Sequence, residues 1–136
     1  MMYPYPEHVA PALVLLIGAL ISQFEAAVPG ATLKVLEGHR PNSVQAAYYA
    51  QGRTTPGPII TKARPGESKH NLDPARAVDV VVLCKGNATW SAKADCDGDG
   101  KADYLEMGEI GEQVGLVWGG RWRGFPDRPH FELKGQ

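Results

Sequence analysis

The run Ala77–Leu83 (AVDVVVL) constrains this chain more than any other stretch. β-branched valines favour the extended, pleated backbone, so the run predicts a strand through the heart of the fold. Asp79 interrupts it. An ionised carboxylate inside such a run is costly to bury without a partner. Two explanations fit: an outward-facing position on an alternating strand, or a metal ligand whose ion offsets the cost.

Two further segments bear on that choice. Ser68-Lys69-His70 lies just upstream in a loop marked by glycine and proline, and Asp127-Arg128-Pro129-His130 lies near the C-terminus, ahead of the apolar-alternating Phe131-Glu132-Leu133. His70, Asp79 and His130 supply two imidazoles and one carboxylate. With a fourth position open for water, that is the composition of a catalytic zinc site. The same set also describes the facial triad of non-haem iron oxygenases. Of the other histidines, His8 falls in a tail, and His39 reads as structural or exposed.

A second cluster is acidic. Residues 95–106 (DCDGDGKADYLE) place Asp95, Asp97, Asp99, Asp103 and Glu106 at loop positions 1, 3, 5, 9 and 12, with Gly100 at position 6. That spacing is the EF-hand calcium-loop pattern, in which Lys101 offers its backbone carbonyl at position 7. It predicts a Ca²⁺ site of structural or regulatory use, with a solvated acidic turn as the plain alternative. No apolar helix is evident before Asp95, so the reading is a single inserted loop and not a paired EF-hand domain.

The rest of the chain is bounded by size and charge. At 136 residues it reads as one domain spanning 1–136. Outside the acidic loop, 13 basic and 10 acidic side chains remain. A mildly basic body suits a polyanionic wall but lacks the dense basic stripe of a nucleic-acid binder. No nucleic-acid or membrane partner is expected, and the chain is read as a monomer. Val9–Ile21 carries no charge but is too short for an ordinary membrane span, and no Lys or Arg precedes it as an export signal requires. It predicts a buried helix running on to Val28, stopped by Pro29-Gly30. Two cysteines, Cys84 and Cys96, make no disulfide framework, and reduced thiols are expected.

Along the chain, Thr32–Leu36 reads as a strand and Ser43 as the cap of a helix over VQAAYYAQ, ended by Gly52. Residues 53–69 form a long loop, 84–94 a connector, Asp103–Val114 a helix, Leu116–Trp118 a short strand, Gly119–Pro129 a loop, and His130–Leu133 a last strand. Helices mixed with short strands predict an α+β fold.

These residues carry a resemblance. Ser68-x-His70, Ala77-x-Asp79, Trp118-Gly119-Gly120-x-Trp122 and Asp127-x-Pro129-His130-Phe131-Glu132 resemble the D-alanyl-D-alanine carboxypeptidase and phage L-alanyl-D-glutamate endopeptidase family, as do Glu37-Gly38-His39-Arg40 and Tyr49–Thr54. The similarity runs through residues 33–133. It implies a small α+β domain with a central antiparallel sheet flanked by helices, and zinc ligands at His70, Asp79 and His130. It also implies a catalytic carboxylate at Asp127 and a substrate- or oxyanion-contacting cation at Arg40. Eight residues separate His70 from Asp79, a wider gap than many relatives show, and His39 replaces an aromatic residue. Neither change removes a ligand.

The chemistry expected is metal-assisted hydrolysis, with Asp127 moving the proton, Ser68 fixing its loop, and Trp118 and Trp122 as groove walls or core residues. The leading expectation is a phage-type endolysin that cuts between L-alanine and D-glutamate in peptidoglycan, made in the host cytoplasm and acting on the wall. Alternatives are a D,D- or L,D-carboxypeptidase and a calcium-binding module without catalysis.

Overall fold

The charge-free N-terminal run becomes α1 (Pro11–Ala27) in the computed structural model, which describes residues 3–135. Proline suits the first helical turn, where its missing N–H has no partner to lose. Leu13, Ile17, Leu20 and Phe24 recur at helical spacing and are fully buried, so the run is a core helix. Among the described residues, no helix is long and apolar enough to cross a membrane.

The valine-rich run is β2 (Ala77–Cys84), and it is the hub of the sheet. It pairs antiparallel with β1 (Ala31–Glu37), β3 (Asn87–Thr89) and β5 (His130–Glu132), and β5 pairs with β4 (Val117–Trp118). The expected central antiparallel sheet is therefore present. Successive strand residues face opposite sides. Val78, Val80 and Val82 join the core built with α1 and with Tyr104 and Met107 of α3 (Asp103–Val114), which leaves Asp79 on the other face. The Tyr104 hydroxyl accepts the Val82 N–H at 3.2 Å and donates to the Thr89 carbonyl at 2.7 Å, tying α3 to two strands.

Three local expectations need correction. Ser43 is not a cap: α2 spans Asn42–Ala50, Pro41 takes the capping position, and no side chain caps it. The connector 84–94 holds β3, a three-residue hairpin partner of β2 too short to show a periodic pattern. Cys84 and Cys96 form a disulfide, with Cα atoms 5.6 Å apart. The end of β2 and the start of the acidic loop lie side by side, a proximity created by tertiary folding and invisible in the spacing.

α3 ends at Gly115, whose φ of 111° takes the left-handed conformation that closes helices. Its glycines serve packing. A methyl at Gly108 would overlap the Trp118 indole, and one at Gly111 would overlap the Phe131 ring. Gly108→Ala gains roughly 1 kcal/mol of helix propensity, yet overpacking a tight contact costs about 1–3 kcal/mol. Urea unfolding is expected to show net destabilisation of Gly108→Ala; a more stable variant would mean that the contact is loose.

Candidate metal centre

Sheet register assembles the site. Pairing of β2 with β5 sets Asp79 opposite His130, and a bulge in β1 between Val35 and Glu37 sets Glu37 opposite Asp79. His70 arrives from a 3₁₀ turn, Lys69–Asn71, just before β2. Ser68 caps that turn: its hydroxyl accepts the His70 N–H at 3.1 Å, while Asn71 Oδ1 accepts the Ser68 N–H at 3.2 Å. The turn is clamped to the chain around Arg40, whose N–H donates to the His70 carbonyl at 2.7 Å and whose carbonyl accepts from Asn71 Nδ2 at 2.9 Å.

Each imidazole is oriented by the nitrogen that faces away from Asp79. His70 Nδ1 is 2.8 Å from the Gly38 carbonyl, which makes it the protonated nitrogen and leaves Nε2 3.3 Å from Asp79 Oδ1. His130 is turned the other way: Nε2 is 2.8 Å from Glu132 Oε1, and Nδ1 lies 3.5 Å from the same Asp79 oxygen. One ligand atom from each of the three residues lies within 4.8 Å of the others. This is the carboxylate–histidine arrangement that fixes tautomer and ring angle at metal sites. Lys69 Nζ, 2.9 Å from Glu132 Oε2, holds that carboxylate in turn.

The three groups are tightly coupled. Burial alone would raise the Asp79 carboxyl, but the His70 and His130 rings overcome it and hold the group well below the usual range. Burial opposes charge on His130, yet hydrogen bonds to Asp79 and Glu132, with the charges of Asp79 and Asp127, push it up to about 9. Once His130 gives up its proton, two imidazole nitrogens and a carboxylate oxygen within 4.8 Å of one another fit a four-coordinate divalent ion with one position open.

Around this centre runs a groove of about 970 Å³. Asp127 lines it, Oδ2 3.8 Å from His130 Nδ1, its carboxyl raised by burial and then by the charge of Asp79. Gly119 allows this approach, because a Cβ there would meet the Asp127 carbonyl oxygen at 2.5 Å. Arg40 is buried; its guanidinium donates to Glu37 and, at 2.8 Å, to Gln45 Oε1, stacks over Tyr48, and lies 3.5 Å from Asp79 Oδ2. Trp122 lines the groove with its ring 4.8 Å from that of His130. Trp118 does not line it: the indole is buried and donates to the Arg128 carbonyl at 2.7 Å, so of the two roles weighed for it the core role holds. The acidic-loop residues lie outside the groove, with Asp95, Asp97 and Asp99 clustered by themselves.

Sequence reasoning passed over several groups that the site uses. Glu132 could have been found, since alternation on a strand puts it on the face of His130. Glu37 stood in the segment that resembles the family but carried no role there, while Gln45 and Tyr48 around Arg40, and the exposed Trp90 at the groove wall, left no local signal.

Comparison with known proteins gives the family and the fold. A family profile described as D-alanyl-D-alanine carboxypeptidase matches residues 61–133, and the chain belongs to that family. Over 109 residues it is 41% identical to the peptidoglycan L-alanyl-D-glutamate endopeptidase CwlK of Bacillus subtilis (strain 168), an alignment covering 79% of this chain and 64% of that protein. The chain thus spans a little under two thirds of that relative. The Serratia marcescens L-Ala D-Glu endopeptidase ChiX shares the fold, with a TM-score of 0.64 at 21% identity over 93% of this chain and 81% of that one. So does the vancomycin resistance D,D-pentapeptidase VanY, solved with Zn(II), with a TM-score of 0.57 at 18% identity over 99% and 78%.

Alanine at His70, Asp79 or His130 is expected to abolish stoichiometric zinc uptake, read by elemental analysis of the purified protein. Glu132→Gln keeps all three ligands but loosens His130, and zinc affinity is expected to fall about 10–100-fold in chelator competition. Unchanged affinity in Glu132→Gln would show that His130 is held by packing alone.

Proposed function

We propose that this chain is a zinc peptidase of the bacterial cell wall that hydrolyses the peptidoglycan peptide stem between L-alanine and D-glutamate. The observation that carries the reading is the convergence of His70 Nε2, Asp79 Oδ1 and His130 Nδ1 beside Asp127 in a groove. Identity of 41% with a peptidoglycan endopeptidase supports the substrate. Zinc, when bound, lowers the pKa of a coordinated water to about 7 and polarises a carbonyl.

The chain's own residues supply the rest. Asp127, lining the same groove beside His130, takes a proton from the attacking water and returns it to the leaving amine. Arg40 offers its charge to a substrate carboxylate or the developing oxyanion. Exposed apolar side chains in the groove, among them Leu36, Ile60, Trp90 and Trp122, hold the stem and thin the water around the scissile bond. The finer reading is a monomeric phage-type endolysin, made in the host cytoplasm and lytic once at the wall, with calcium in the acidic loop supporting activity. The Cys84–Cys96 bridge favours a working form outside the reducing cytosol. A second reading, a carboxypeptidase trimming terminal D-alanine, is favoured by the family profile's own description.

Digestion of purified peptidoglycan, read by mass spectrometry, separates the two. New N-terminal D-glutamate is expected; release of D-alanine alone would favour the carboxypeptidase, and no release at all would overturn both. Asp127→Asn is expected to retain zinc while losing about 10²–10⁴-fold in rate. Parental activity in that variant would place the base elsewhere.

A further inference from the structure

The acidic loop leaves a chemical demand that the chain does not meet. Asp103, at loop position 9, is 0% exposed. Its Oδ2 accepts the Cys96 N–H at 2.8 Å, which aims the carboxylate into the loop, but its Oδ1 is buried without a hydrogen-bond partner. Glu106, at position 12, has an Oε1 in the same condition. Two buried, unpartnered anionic oxygens within one twelve-residue loop are costly. Nearby, ligand oxygens of Asp95, Asp97 and Asp99 lie within 4.8 Å of one another. Among the described residues, no cationic side chain forms an ion pair with any of the five acids; the loop's own Lys101 pairs instead with Glu109.

The electrostatics point the same way. Burial first, and then the charges of Asp95, Asp97 and Asp99, raise the Asp103 carboxyl; burial, Asp99 and Asp97 raise that of Glu106. The loop is also shaped in advance. Gly100, at position 6, takes a left-handed φ of 87°, and its N–H donates to Asp95 Oδ2 at 2.8 Å. Cys96, between the first two acids, is bonded to Cys84 at the end of β2, so the loop is fastened to the sheet.

We infer that residues 95–106 bind one calcium ion through Asp95, Asp97, Asp99, the Lys101 carbonyl and Glu106, with the buried Asp103 completing or bracing the shell, and that this ion fixes the start of α3. Oxygen donors in this number suit Ca²⁺ over the smaller Mg²⁺, which demands a tighter octahedron. The consequence reaches the groove through packing. α3 begins at Asp103 and presents Gly108 and Gly111 to Trp118 and Phe131, and Phe131 is next to His130 on β5. Calcium at one end of the helix thus steadies the strand that carries a metal ligand at the other. The inference takes up the loop named in the peptidase reading, but its test reads ion binding and stability, so it stands or falls separately from peptidoglycan cleavage.

The experiment titrates calcium chloride into the zinc-loaded, calcium-stripped full chain by calorimetry and follows thermal unfolding with and without the ion. One ion per chain is expected, with a Kd in the EF-hand range of about 10⁻⁷–10⁻³ M. Saturating calcium is expected to raise Tm by on the order of 5 °C, and magnesium to do less. Glu106→Gln removes one repelling charge, so without calcium its Tm is expected to equal or exceed the parent's, while its calcium affinity falls at least tenfold. Absence of binding at about 10 mM calcium, far above that range, would overturn the inference. So would parental affinity in Glu106→Gln, or an equal loss of Tm by that variant with and without calcium, since either would make Glu106 a merely structural residue.

Discussion

A carboxylate set into the central strand of the sheet is the constraint on which the rest of this structure depends. Several kcal/mol are at stake when a charge is buried without compensation. Asp79 meets that demand with His70 and His130 at one oxygen and the Arg40 guanidinium near the other. Each of these has its own support: Gly38 and Ser68 for His70, Glu132 for His130, Glu37 and Gln45 for Arg40. The polar residues on this face of the sheet therefore form successive shells around one anion. The opposite face, valines against α1 and α3, supplies the apolar burial that holds the shells in register.

The same pattern of anionic excess appears twice, at opposite ends of one packing chain. In the groove, the excess is balanced by imidazoles and poised for a divalent ion with an open position. In the acidic loop, five carboxylates have no cationic partner among the described residues, and two of their oxygens are buried and unpaired. α3 joins the two regions, and its glycines let Trp118 and Phe131 sit directly against the helix. A disulfide at Cys96 fastens the acidic loop to β2, and the missing side chain of Gly119 lets the Asp127 backbone approach closely.

Much of this was legible in the sequence because the features were local or chemically conspicuous. The valine run announced β2 through side-chain branching, and α3 runs over Asp103–Val114 as its pattern predicts. An acid inside the strand, read with two histidine segments and the family resemblance, pointed to the ligand set that the fold brings together. What stayed hidden was set by tertiary contact. The Cys84–Cys96 bond depends on β2 and the acidic loop lying side by side, β3 is only three residues long, and Gln45 reaches Arg40 and the 53–69 loop from a helix with little amphipathic pattern. The core role of Trp118 depends on the glycine-lined face of α3, which composition alone does not reveal. Glu132 was different: strand alternation places it with His130, and only its partner was unknown.

The central claim, that Asp79 and two oppositely oriented histidines hold one metal ion, is tested most directly by anomalous diffraction from zinc-loaded crystals at the zinc edge. The account predicts a single peak in the groove, bonded to His70 Nε2, His130 Nδ1 and one Asp79 oxygen at about 2.0–2.2 Å, with Asp127 beyond bonding distance. A peak coordinated through His130 Nε2, or one that leaves Asp79 unligated, would contradict it.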